Sequence, residues 1–533
     1  MQIRRFRGIL KPRRVRALSL IPAAVFTSFL VISQSFAQAH NPSHQAASRP
    51  LRIGLALGGG GARGMAHIGV LMALEEEGIP IDMIAGTSAG SIMGGLFAAG
   101  YSGREMREIM RTVDWKNVFR EAPFPQALWV SQRYGLRQPL FKVHFGFWKV
   151  FLPHGLINGQ HISEELFRLT AAPNYAARSD FDNLVVPFRS VAVDIATGKL
   201  YALEKGSLAQ AIRASTAIPG YYYPAIFEDK LMVDGGILDI VPSDIVKEMG
   251  ADVIIAVKVN QTFVEGKEPQ SLFSILENMV DIMISKLGKK QLALADIVIE
   301  PDLGTHSSYD YSGLDPIIKK GYEAAKQKIG EIKKLIGGGI DRDVHSYRKL
   351  DTEALEKAKV SKIRVIGHTI GPGKTNETGD QKQSKPPKFA NPKLIVRYFP
   401  IKLGRAFNIE KALRGVENLY ATGLFQNVWL ELDNPGEGNV GVNIHCLEGS
   451  NRFIGLGANL RNEEGPSGFI QVAPFNFFGL GDRIMPLFRY GKLLRTAGLE
   501  VSIGRFLLSP FSLDIGLYYE KEKPYRYNTT GDN

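Results

Sequence analysis

Asp82-Met83-Ile84-Ala85-Gly86-Thr87-Ser88-Ala89-Gly90-Ser91-Ile92-Met93 is the stretch on which the reading of this chain turns. Gly86-Thr87-Ser88-Ala89-Gly90 within it is a G-x-S-x-G element. The apolar run before it predicts a short strand over Asp82–Ala85, and the small residues after it predict a helix over Ser91–Ala99. A serine at such a junction sits on a sharp strand-to-helix turn with its hydroxyl projecting outward. Gly86 and Gly90 let the backbone through a crowded turn, and the helix N-terminus sets a positive dipole near any oxyanion.

Upstream the pattern repeats. Arg52–Leu57 reads as a buried strand, and Met65–Glu77 has helical spacing, with Ile68, Leu71, Met72 and Leu74 on one side. Between them lies Gly58-Gly59-Gly60-Gly61-Ala62-Arg63-Gly64. A glycine-rich turn there gathers backbone N–H groups into a concave patch that can hold a phosphate or the oxyanion of a tetrahedral intermediate. Arg63 would anchor the loop or add positive charge. Gly59, Gly61 and Gly64 also satisfy G-x-G-x-x-G, the dinucleotide fingerprint. That fingerprint wants an acid ending the second strand, and Asp82 precedes its strand. No P-loop lysine follows Gly64.

Downstream, Lys230–Val233 reads as a strand and runs into Asp234-Gly235-Gly236. An aspartate at a strand end beside glycines can accept a proton from a serine hydroxyl, or it can close an Asx-turn. The small, turn-rich Ala214–Gly220 segment could shape a pocket wall. Leu184–Val193 and Val253–Val259 are again strand-like, with helices between. Alternating strands and helices predict an α/β domain, a parallel sheet covered on both faces, up to about residue 335.

The glycine loop, the G-x-S-x-G element and Asp234-Gly235-Gly236, in that order, resemble the patatin-like phospholipases over residues 51–335. The resemblance implies a Ser–Asp dyad: Ser88 as nucleophile, Asp234 as base, then acid. It implies an oxyanion hole from Gly59, Gly60, Gly61 and Arg63, an elbow framed by Gly86 and Gly90, and a base flanked by Gly235 and Gly236. No cofactor and no metal is expected, and the substrate would be a phospholipid or lysophospholipid at a membrane surface. A triad with His306 stays open, although His306 also reads as a solvated loop histidine. His67, in the first helix, reads as a packed or capping residue.

The chain has 533 residues, too many for one hydrophobic core. Its apolar and charged fractions, 44% and 22%, are those of a globular protein. Cys446 is alone, which excludes a disulfide framework within the chain. Seven of the twelve net positive charges fall in residues 1–39, which hold no acid. The remainder is too mildly basic for a nucleic-acid partner. Basic residues, then the apolar Ala17–Ser33 run, then Ala37-Gln38-Ala39 form a signal-peptide pattern over 1–39, followed by a linker over 40–50. An uncleaved anchor is the competing reading of that run.

Residues 336–360 read as a connector. Lys362–Thr369 predicts a strand, Gly371–Pro392 a Pro- and Gly-rich loop, Ile409–Tyr420 a helix capped by Asn408, and 426–432 with 439–447 a hairpin. Phe407-Asn408-Ile409-Glu410, Leu419–Phe425 and Val442–Glu448 resemble a POTRA domain, placed at 361–449. From 450 to 533 apolar residues alternate: Ile454, Leu456, Ala458 and Leu460; Leu499, Val501 and Ile503; Leu513, Ile515, Leu517 and Tyr519. This suits an incomplete antiparallel outer-membrane β-barrel segment, or else a soluble antiparallel sheet. A patatin-like domain, one POTRA and a barrel together resemble the type V-d autotransporters. That implies a Gram-negative outer-membrane or cell-surface protein, with outer-membrane assembly machinery as a possible partner. The 82 residues from Arg452 allow five or six strands, fewer than a closed barrel needs. Phe141–Phe151, with Phe145, Phe147 and Trp148, reads as buried core or as a membrane-facing flap.

The expectation is therefore an exported acyl-hydrolase of phospholipase A or lysophospholipase type. Its rival is an outer-membrane assembly or secretion module with a silent α/β domain, although a silent domain has no need to keep serine, aspartate and glycine loop together. A nucleotide-binding enzyme is the third reading.

Overall fold

The computed structural model describes residues 51–124, 127, 141–145, 150–151, 155–260, 275, 282, 288–337, 350–368, 392–448, 453–461, 465–472, 482–491, 494–503, 511 and 513–522. The expected signal peptide, the linker and residues 371–391 of the expected loop lie outside the described residues. All described elements belong to the unit Leu51–Asn533.

The strands Ile297–Ile299, Val253–Val257, Ile53–Leu57, Met83–Thr87 and Phe188–Asp194 lie side by side in that order, each parallel to its neighbours. Lys230–Asp234 and Ala225–Phe227 extend the sheet antiparallel, and Lys199–Leu203 pairs antiparallel with Phe188–Asp194. Ile53–Leu57, Met83–Thr87 and Val253–Val257 are buried at every position, because both faces are covered. Leu55, Leu57, Ile84 and Ile255 join one core with Ile68, Leu71, Met93 and Leu96 of the helices Ala66–Glu76 and Ala89–Ala98. Ala56, Met83, Ala85, Ile254 and Ala256 join a second core with Ile245 and Val246 of the helix Ser243–Glu248. Alternating residues of one strand thus serve opposite layers, which the period of two requires.

The strand before Ser88 runs to Thr87 and the helix after it begins at Ala89, two residues beyond each expected boundary. Gly86 and Thr87 still pair, with Ser190 and Val191, so the turn shrinks to Ser88 alone.

Further along, Lys359–His368 runs parallel to Asn439–Glu448, which pairs antiparallel with Phe425–Gly436. The helices Pro392–Tyr398 and Ile409–Tyr420 pack on this mixed sheet. Asn408 caps the second helix, accepting from the Lys411 N–H at 2.8 Å. The sheet's outer strand is held to the α/β layer by Gln160, whose side-chain amide donates to the Val428 carbonyl and accepts from the Val428 N–H, both at 2.8 Å. Tyr175 O–H donates to the Asn439 carbonyl at 2.9 Å.

The strands Phe453–Arg461, Gly465–Val472, Asp482–Gly491, Leu494–Ile503 and Leu513–Glu522 form an antiparallel meander. Ile454, Leu456, Ile470, Phe488, Leu499 and Leu517 are exposed, Leu517 at 71%. Ser467, Arg489 and Thr496 are buried with Phe469 and Leu487 on the opposite side. A soluble one-faced sheet has the reverse arrangement, apolar in and polar out. Phe141–Phe145 pairs antiparallel with Phe453–Arg461, and Val150–Phe151 pairs with Phe141–Phe145. Within the segment read as core or flap, these two strands thus lie at one end of this sheet, where the backbone of Phe141–Phe145 pairs the edge of Phe453–Arg461. Among the described residues no helix is long and apolar enough to cross a membrane.

Candidate active site

One strand assembles the site. On Phe188–Asp194, Val191 faces Thr87, the last residue of the parallel strand before Ser88. The next residue, Ala192, faces Asp234, the last residue of the antiparallel strand Lys230–Asp234. Strands of opposite direction thus end against consecutive residues, and this brings together two motifs about 150 positions apart in sequence.

Ser88 has φ 53° and ψ −122°, a conformation that side chains other than glycine seldom adopt. Such strain persists only where the surroundings over-determine it. Here the Ser88 N–H donates to Ser215 Oγ at 2.9 Å, and Ser215 Oγ donates to the Val191 carbonyl at 2.6 Å. Thr87 Oγ1 donates to the Asp239 carbonyl at 2.9 Å. A β-carbon on Gly90 would lie 2.1 Å from the Leu57 carbonyl oxygen, and one on Gly86 would lie 2.4 Å from that of Gly90. Both glycines are required by this close approach.

Asp234 is buried, its carboxylate accepts from the Gly236 N–H at 2.8 Å, and the Ser88 side chain stands close enough to pull on its charge. Its own N–H donates to the Ala217 carbonyl at 3.0 Å. Burial pushes its pKa from 3.8 up to about 6, against the opposing pull of the Ser88 side chain and the Gly236 N–H. Gly235 packs where a β-carbon would strike the Val191 carbonyl at 2.4 Å.

The glycine loop lies against the elbow, since a β-carbon on Gly59 would come within 3.1 Å of Ser88 Cβ. The Gly59 N–H donates to the Ile240 carbonyl at 3.0 Å. Arg63 is buried, with Nε donating to the His306 carbonyl at 2.6 Å. The Gly59 N–H and the Arg63 Nε–H thus help to fix the loop. The N–H groups of Gly60 and Gly61 are the pair that lack a backbone acceptor among the described residues. His67 is fully buried, its Nε2 lies 2.7 Å from the Gly58 carbonyl oxygen, and burial lowers its pKa to about 4. It is neutral at pH 7 and holds the loop as an N–H donor. The His306 ring bonds the Asp310 carbonyl at 2.8 Å, so it does not complete a triad with Asp234.

Ser215 is the residue whose part was not legible beforehand. It lies in the small, turn-rich stretch marked as a pocket wall, but its pairing with the Ser88 N–H joins positions 127 apart. Asp239 is also new: burial, with help from Asp244, pushes it up to about 8, so it is largely protonated at pH 7.

Residues 55–247 match the patatin-like phospholipase family. Among curated relatives, the chain is 33% identical over 354 residues to patatin-like phospholipase domain-containing protein 6 of Homo sapiens, covering 60% of this chain and 24% of that protein. It is 27% identical over 330 residues to lysophospholipase NTE1 of Debaryomyces hansenii, covering 54% of this chain and 19% of the relative. The chain thus spans about a quarter or less of the length of these relatives. Among solved structures, VipD from Legionella pneumophila is 15% identical with a TM-score of 0.31, over 53% of this chain and 67% of that one, a likeness too slight to bear on function. The family match thus takes in the glycine loop, the G-x-S-x-G element and Asp234-Gly235-Gly236.

Proposed function

We propose that the chain is an exported lipid acyl-hydrolase that cleaves carboxylic esters of phospholipids or lysophospholipids through a Ser–Asp dyad. One observation carries the proposal: a serine on a strained elbow stands beside a buried aspartate whose carboxylate is otherwise held by the Gly236 N–H. Ser88 Oγ attacks the ester carbonyl while Asp234 takes its proton. The N–H groups of Gly60 and Gly61, with the N-terminus of Ala89–Ala98, face the developing oxyanion. Asp234 then returns the proton to the leaving alcohol, and water, deprotonated by the same carboxylate, releases the fatty acid. A pKa near 6 suits this double duty, since the group is ionised at pH 7 yet basic enough to hold a proton in the transition state.

The remaining elements serve placement. The mixed three-stranded sheet with two helices is read as a POTRA domain. The meander, with a largely apolar exposed face and a mixed buried one, is read as part of an outer-membrane barrel in a Gram-negative envelope. The apolar face supports that location.

The test is fatty-acid release from mixed phospholipid vesicles by the purified full chain beside its Ser88→Ala variant. Serine-dependent release supports the hydrolase. A folded chain without it shifts the reading to a membrane assembly or secretion module with a silent α/β domain.

A further inference from the structure

The patatin-like domain and the mixed-sheet domain meet at a buried group that the dyad does not use. The helix Gln160–Ala176 presents His161 and Glu164, three positions apart and so on one face. The helix Ile409–Tyr420 presents Glu417 to them. His161 Nδ1 lies 3.6 Å from Glu164 Oε2 and 3.9 Å from Glu417 Oε2, and one ligand atom from each residue falls within 4.8 Å of the others.

The outer atoms of all three are already held. His161 Nε2 is 3.2 Å from the Ala122 carbonyl oxygen, which can only accept. A ring proton therefore sits on Nε2, and Nδ1 faces the two carboxylates, where a cation or a second ring proton must stand between them. Glu164 Oε1 accepts from Gln160 Nε2 at 2.8 Å, and Glu417 Oε1 accepts from the Phe124 N–H at 2.6 Å. Metal-binding histidines and carboxylates are characteristically fixed by such outer hydrogen bonds. The inner atoms are the orphans: among the described residues, His161 Nδ1 and Glu417 Oε2 are buried without a hydrogen-bond partner, and the His161 side chain is 4% exposed.

We propose that His161, Glu164 and Glu417 bind a divalent transition-metal ion of the Zn²⁺ type, which clamps the patatin-like domain to the mixed-sheet domain. Tetrahedral Zn²⁺ with bonds of about 2.0–2.2 Å sets its ligand atoms about 3.3–3.5 Å apart, so the two histidine–carboxylate separations of 3.6 and 3.9 Å need contract by a few tenths of an ångström, and the carboxylates, within 4.8 Å of each other, close on the ion by side-chain rotation. One N and two O ligands leave the fourth position to a solvent oxygen. The ion would also stand between two carboxylates that face one another in a buried group. The competing occupant is a proton shared within the group, which predicts no metal uptake.

The full chain, purified in detergent and stripped with EDTA, is titrated with ZnCl₂ at pH 7 by calorimetry, with Tm followed in parallel. The expected result is one Zn²⁺ per chain and a higher Tm on loading. Glu417→Gln keeps the acceptor for Phe124 and should weaken binding by more than about 100-fold, as should His161→Gln. X-ray absorption at the zinc edge of the loaded parent chain should give a nitrogen and oxygen shell without sulfur. This keeps the proposal testable if either variant folds poorly. No stoichiometric uptake by the parent, or undiminished uptake by both folded variants, overturns the proposal.

Discussion

Asp234→Asn should make the protein more stable while abolishing its activity. In the fold, Asp234 has a pKa of about 6 against an ordinary 3.8, chiefly because burial disfavours the charged form. Below pH 3.8 the acid is protonated whether the chain is folded or not, and ionisation contributes nothing. Between pH 3.8 and about 6 the unfolded chain ionises and the folded one does not, so stability falls as pH rises. Above about pH 6 the penalty is complete. The gap between the two values corresponds to about 3 kcal/mol.

Asparagine removes the charge and can still accept from the Gly236 N–H, but one oxygen must then serve both Gly236 and Ser88, so about 3 kcal/mol is an upper limit. For a domain of this size it corresponds to a gain of roughly 6 °C in Tm. Calorimetry of parent and variant from pH 4 to pH 8 reads it directly. The two should nearly coincide at pH 4 and separate progressively to pH 7. A variant no more stable than the parent at pH 8, or a difference independent of pH, refutes the account of Asp234 as a desolvated base.

The same carboxylate sets activity: kcat/KM should fall about tenfold per pH unit below a limb near pH 6, as measured on a neutral ester. Ser88→Ala should abolish release with the fold intact. Ser88→Gly should abolish it too, yet exceed Ser88→Ala in stability by about 1 kcal/mol in urea unfolding, because glycine tolerates φ 53°. Gln160→Ala strands the buried Val428 N–H and carbonyl and should cost about 2–4 kcal/mol, read as a lower Tm. Leu517→Arg should impair insertion into lipid vesicles by about 2–4 kcal/mol if the exposed apolar face meets hydrocarbon. Unchanged insertion would refute a lipid-facing role for that strand.

The α/β architecture was legible because its signals are local. The apolar run of Ile53–Leu57, the G-x-S-x-G turn and the Asn408 cap each depend on residues within one turn or strand. Those signals locate Ser88 and Asp234 in the chain, but not their meeting. That depends on the antiparallel return of Lys230–Asp234 along Phe188–Asp194, and no periodicity encodes it. The glycine loop was legible as a concave turn, yet which N–H groups stay open depends on distant carbonyls: Ile240 takes Gly59, and His306 takes Arg63. The pairing of the Phe141–Phe145 strand was out of reach for a related reason. An apolar strand looks alike whether it enters a core or completes a sheet edge, and its partner, Phe453–Arg461, lies some 300 residues away.

The junction between domains carries this furthest. Gln160, His161 and Glu164 look like an ordinary polar helix start, the kind that faces water. Gln160 is in fact fully buried, and the other two are nearly so. Their burial follows from the docking of Phe425–Gly436 and Ile409–Tyr420 against that helix. A buried amide that replaces a strand's hydrogen bonds, beside a histidine and two carboxylates with converging lone pairs, is expensive to desolvate unless every partner is present. The two domains should therefore be coupled in stability. Gln160→Ala and Glu417→Gln, on facing helices that share Glu164 as neighbour, should be non-additive in a double-mutant cycle by about 0.5–3 kcal/mol. Additive losses would mean that the interface is a set of independent contacts, and that neither a shared proton nor a shared ion links its halves.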